Sequence, residues 1–231
     1  MKKIDSLNGN GVWIANSSDD IPRLVKEMAC PVPPRGKGAD GRKSEDVERY
    51  SMAVLLDAIA SSRLTHPFNV RKGERPDFVI ESISEKIGVE HTEVVDPKVA
   101  EAVALKNSRK HKINIESGPA FGDGDGGCAF CDPGEGYVGN GVERRWVAEI
   151  AKRVARKCDS AQKDGFCMYG KNWLLVYFNI FLPSVKYGIA SEMLRERLSS
   201  DGVFSVFCAV YVVDEQAVCE IVEDGFRVFV R

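Results

Sequence analysis

From Ser44 the chain reads SEDVERYSMAVLLDAIASSRL, and Met52, Leu55, Leu56 and Ile59 recur at spacings of three and four. That period lays the apolar positions along one stripe of a helix. Ser44 stands where an N-cap belongs, with acids in the first turn behind it. Glu48 lies four residues before Met52 and seven before Leu55, so the same stripe carries a carboxylate inward. Beyond this helix, residues 68–70, 77–81 and 88–95 show β-branched alternation punctuated by Gly73, Pro76 and Gly88, the pattern of a strand meander. A short helix is predicted over 97–106 and a longer one over 142–157, the latter through Trp146, Val147, Ile150 and Val154. Residues 173–182 form a nearly continuous apolar run, as a buried central strand requires. A further helix is predicted over 185–199, followed by strands over 203–213, 217–222 and 226–230, with no internal repeat.

Two stretches interrupt this order. Residues 30–43 combine three prolines with three glycines, so residues 1–43 read as an N-terminal arm and connector ahead of a domain spanning 44–231. Residues 117–141 hold nine glycines in 25 positions, with Asp123, Asp125, Asp132 and Glu135 and no basic residue, a composition expected of an insertion outside any core. In total, 231 residues with 44% hydrophobic and 29% charged side chains exclude wholesale disorder, collagen and coiled coil. The formal net charge of −2 means that any nucleic-acid surface must be local. The N-terminal MKKIDSLNGN has no apolar stretch behind its lysines, which argues against a signal peptide, and the longest apolar runs are half the length of a membrane span. A cytoplasmic protein with mostly reduced thiols is expected from its seven cysteines.

The chemistry concentrates in Gly73-Glu-Arg-Pro-Asp-Phe-Val-Ile-Glu81 and Ile87-Gly-Val-Glu-His-Thr-Glu93. Asp77 opens one strand and Glu90 lies inside the next, so antiparallel pairing can bring both carboxylates to one cation. Two carboxylates with a backbone carbonyl and waters make a usual Mg²⁺ set, although a turn acid and a solvated strand acid would look the same in sequence. Along the second strand Glu90, Thr92 and Val94 share a face, whereas His91 and Glu93 point the other way. Glu81 and Glu93 are spare acids near the same place.

Over residues 44–182 these motifs and their order resemble the PD-(D/E)XK nuclease superfamily. The resemblance implies an α/β fold with a restriction-endonuclease-like core, a mixed central sheet flanked by helices, here with extra C-terminal strands. It places the superfamily's Pro-Asp pair on Pro76 and Asp77, its second acid on Glu90 and its first-helix acid on Glu48, with Glu45 the less favoured choice. The motif lysine falls on Thr92, a departure, since a hydroxyl supplies no positive charge to an attacking water. Some members carry that lysine on the following helix, where this chain has Lys152 and Lys157. The stripe Val147, Ile150, Val154 continues to residue 157, which favours Lys157.

The resemblance therefore implies a nuclease that hydrolyses phosphodiester bonds of DNA with Mg²⁺ or Mn²⁺. Asp77, Glu90 and the His91 carbonyl would hold the ion, Glu48 a second ion or a metal water, and Lys157 would orient the nucleophile. Phosphate contacts would come from residues 106–112, with four basic residues and no acid, and from residues 143–157, with six basic against two acidic. RNA remains open as the polymer, and many nucleases of this fold act as homodimers. The alternative from a different class, motivated by Thr92, is a catalytically silent module of the same fold that binds nucleic acid or protein. Cys128 and Cys131 have zinc-ligand spacing but lack a second pair, so free thiols are expected in place of zinc. The Asp123–Asp125 stretch lacks the later ligands of a calcium loop, and His91 and His111 have no nucleophile at triad spacing.

Overall fold

The computed structural model describes residues 11–29, 44–96, 139–161, 163 and 167–231. The helix predicted over 97–106, the basic run 106–112, most of the glycine-rich insertion and Cys128 and Cys131 lie outside the described residues. The protein is α/β, with one mixed sheet of eight strands whose spatial order follows the chain. These are β1 (Val12–Ala15), β2 (Phe68–Lys72), β3 (Phe78–Ser82), β4 (Lys86–Val95), β5 (Lys171–Asn179), β6 (Ala209–Val213), β7 (Ala217–Val222) and β8 (Gly225–Val230). The helices are α1 (Ile21–Met28), α2 (Ser44–Arg63), α3 (Gly141–Ala161) and α4 (Tyr187–Ser200).

Strands β1 to β4 form an antiparallel meander, β4, β5 and β6 run parallel, and β6 to β8 are antiparallel again. Each parallel step needs a crossover, and α3 and α4 supply the two. Because both crossovers advance the same way across the sheet, both helices lie on one face. There Trp146, Ile150 and Val154 of α3 and Leu194 and Leu198 of α4 pack on Leu174, Val176 and Val210. The opposite face is covered by α1 and α2, whose Leu24, Met28, Leu55 and Ile59 pack on Val70, Phe78, Val89 and Leu175. Strand β5, central and covered on both faces, is buried at every position after Lys171, which accounts for its unbroken apolar run.

Two expectations change. Residues 12–28, expected within an N-terminal arm, add an edge strand to β2 and bury Trp13, Ala15, Ile21, Leu24 and Met28 in the core under α1. The strand predicted over 203–213 is shorter, because Val203–Ser205 forms a 3₁₀ turn after Gly202 at φ 69°, and β6 begins only at Ala209. The apolar residues Val203 and Phe207 are buried as a strand's would be, so burial alone did not distinguish turn from strand.

Gly88 shows how tightly the meander closes around β4. A Cβ there would meet Tyr169 Cδ2 at 2.7 Å, Asn172 Oδ1 at 3.0 Å and Pro76 Cγ at 3.1 Å. Gly88→Ala is expected to destabilise the fold by about 1–3 kcal/mol through overpacking. Urea unfolding checks this, and an unchanged midpoint would mean that the three neighbours yield freely.

Candidate active site

The site is built where β3 enters the sheet. Residues 73–77 connect β2 to β3, and the Gly73 N–H donates to the Asp77 carbonyl at 2.8 Å, closing the loop. The β3/β4 register pairs Phe78 with Val89, and one step further it sets Asp77 beside Glu90. The His91 N–H then donates to Asp77 Oδ2 at 2.7 Å. Two carboxylates are thus held together by backbone pairing, as strand spacing suggested.

Alternation along β4 sends its side chains to opposite helices. Glu90 faces α3, where Lys157 Nζ lies 2.6 Å from Glu90 Oε1, so residue 157 continues the inward stripe of Ile150 and Val154. Lys152 is exposed and lines an open groove of about 530 Å³ between α3 and α4 with Val147, Ala151, Met193 and Arg197. His91 faces α2, with Nε2 2.9 Å from Ser51 Oγ. The Ser51 hydroxyl also donates to the Val47 carbonyl. Thr92 is half-buried on the Glu90 face and sits beside Val176 of β5.

Glu48 reaches the site from α2, in agreement with its place on the apolar stripe, while Glu45 is exposed. Ser44 Oγ donates to Glu48 Oε1 at 2.9 Å, and Lys72 Nζ lies 2.6 Å from Glu48 Oε2. Lys72 is the residue that sequence reasoning missed. It ends β2 and continues the inward alternation of Phe68 and Val70, the signal that could have revealed it. Its Nζ is also 3.8 Å from Asp77 Oδ1. The spare acids are engaged elsewhere: Glu81 pairs with Arg71 and Lys86, and Glu93 accepts from Asn179 Nδ2 at 2.9 Å.

The electrostatics follow from this crowding. Burial, then the neighbouring Glu90 charge, push the Asp77 carboxyl up to about 6; Glu48 adds to the rise, and the His91 N–H and Lys157 oppose it. Burial would raise Glu48 as well, but the Lys72 hydrogen bond and charge, with Ser44 and His91, hold it below the usual carboxylate range. Glu90 Oε2 is buried and has no hydrogen-bond partner among the described residues. A buried oxygen left unpaired beside a second, repelled carboxylate fits a divalent cation between Asp77 and Glu90, since a cation would satisfy one and relieve the other. Among the described residues no group of three or more His, Cys, Asp or Glu side chains is placed to hold an ion. Two carboxylates such as Asp77 and Glu90 would suit Mg²⁺, which keeps several waters.

The outer surface of α3 carries exposed Arg144, Arg145, Lys152 and Arg156, a basic strip beside the Glu90 side of the sheet. Among the described residues Cys158, Cys167, Cys208 and Cys219 are free thiols. No helix among the described residues is long and apolar enough to cross a membrane. Comparison with protein-family models, with curated proteins and with solved structures finds no match.

The raised Asp77 carboxyl makes a stability prediction. With a folded-state value above the ordinary 3.8, ionised Asp77 opposes folding, fully so above about pH 6 and not at all below pH 3.8. A rise of that size corresponds to a ceiling of about 3 kcal/mol. In metal-free buffer Asp77→Asn, which retains an acceptor for the His91 N–H, should stabilise the protein by about 1–3 kcal/mol at pH 8. The advantage should vanish below pH 4. Urea titrations at the two pH values check it, and a variant less stable than wild type at pH 8 would contradict the electrostatic account.

Proposed function

We propose that the protein is a metal-dependent nuclease that hydrolyses phosphodiester bonds of DNA, built on a restriction-endonuclease-like core formed by α2, β2 to β4, α3 and β5. The observation that carries this reading is the meeting of Asp77, Glu90 and the Lys157 ammonium, with 2.6 Å between Lys157 Nζ and Glu90 Oε1. The departure at Thr92 is thereby supplied from α3, which weakens the case for a silent binding module.

Asp77 and Glu90 would hold Mg²⁺ or Mn²⁺. When bound, such an ion neutralises charge on the phosphodiester and lowers the pKa of water beside it. The Lys157 ammonium, a quarter exposed and already within hydrogen-bond reach of the carboxylate, can turn to a water or to a phosphoryl oxygen as negative charge develops there. His91, fixed through Ser51 and through its own N–H to Asp77, holds β4 and the Asp77 carboxylate in register. Exposed Arg144, Lys152 and Arg156 offer phosphate contacts that carry no sequence information.

Cleavage of supercoiled plasmid with Mg²⁺, Mn²⁺ or EDTA tests the proposal. Wild type is expected to cut only with a divalent ion, Asp77→Ala and Glu90→Ala to lose at least about 100-fold, and Lys157→Ala to lose about 10²–10³-fold with metal binding retained. Salt-sensitive DNA binding without cleavage by wild type would move the reading to a binding module.

A further inference from the structure

The Lys72 ammonium sits in a cage of oxygens. Its Nζ lies 2.6 Å from Glu48 Oε2 and 3.8 Å from Asp77 Oδ1, and it donates to the Gly73 and Asp77 carbonyls at 3.2 Å each. It also stands 4.8 Å from the centroid of the Phe78 ring. Two carboxylates, two carbonyls and a ring face converging on one point make an environment for a cation. The side chain filling it is only one-fifth exposed, and it approaches Asp77 from the α2 face, opposite to Lys157.

We propose that Lys72 is a built-in second cation: the site takes one divalent ion, between Asp77 and Glu90, and the Lys72 ammonium occupies the place between Asp77 and Glu48 that a second ion would need. This rests on the metal site argued above and deepens it, replacing the expectation that Glu48 binds a second ion. Glu48 is committed on both oxygens, to Ser44 and to Lys72, whereas Glu90 retains an unpartnered Oε2. The two acids that flank Asp77 are therefore not equivalent. One is closed by an internal ion pair beside Phe78, and the other keeps a buried oxygen without a partner. In this arrangement Lys72 is a positioning residue, which holds Asp77 and Glu48 together without contact to the phosphodiester.

The test is the stoichiometry of Mn²⁺ binding, read by isothermal titration calorimetry without substrate. Wild type should take one ion per chain, and Glu90→Gln should abolish it. Lys72→Met, which keeps the length of the side chain and removes its charge, should take two, and Lys72→Met with Glu48→Gln should return to one. Two ions on wild type, or one on folded Lys72→Met, would overturn the inference while leaving the metal site standing. No Mn²⁺ on wild type would overturn both. If Lys72→Met does not fold, Glu48→Gln decides alone: Mn²⁺ affinity within about threefold of wild type supports the inference, and a loss of about tenfold or more, the effect of removing a ligand or its support, overturns it.

Discussion

The pairing of β3 with β4 brings like charges together and holds them there. Once Phe78 is set against Val89, Asp77 has no position other than beside Glu90, and the backbone bonds that fix this do not relax when both carboxylates ionise. The His91 N–H adds a bond to Asp77, and the loop bond from Gly73 prevents the chain from swinging away. Relief must come from other charges, and it comes from both faces. Lys157 reaches Glu90 from α3 and Lys72 reaches Glu48 and Asp77 from the α2 side.

This follows from the strand that carries Glu90. β4 is antiparallel to β3 and parallel to β5, so it joins the meander to the crossover part of the sheet. Helices lie on both of its faces, and alternation along it gives Glu90 to one helix and His91 to the other. A site at such a strand can recruit from both layers with no side chain longer than lysine. The same crowding explains Gly88, where any Cβ would collide with the chain that delivers Asp77 and with the start of β5.

Much of this was legible in local pattern. The period of α2 carried Glu48 inward, the stripe of α3 distinguished Lys157 from Lys152, and alternation assigned Glu90 and His91 to opposite faces. What local pattern did not reveal depended on pairing at a distance. Lys72 fits the local alternation of Phe68 and Val70, but that β2 reaches it is decided by the ladder with β3. Residues 12–28 look like an arm until β1 is seen to pair with β2. Val203, in a 3₁₀ turn, and Phe207, in the segment after it, are as buried as strand residues, so hydrophobicity could not separate the two. Charge was the least informative quantity, since a formal net charge of −2 conceals a basic α3 and a compact acidic centre.

On the proposed reading the fold holds Asp77 and Glu90 together to share one cation. Crystals grown in Mn²⁺ and measured at the manganese edge provide the test. One anomalous peak is expected within coordination distance of both carboxylates, with Lys157 turned away from Glu90 and Lys72 still on Glu48. Absence of manganese there at saturating concentration, with the Lys157–Glu90 pair intact, would contradict it and leave the cluster as a self-neutralised set of ion pairs.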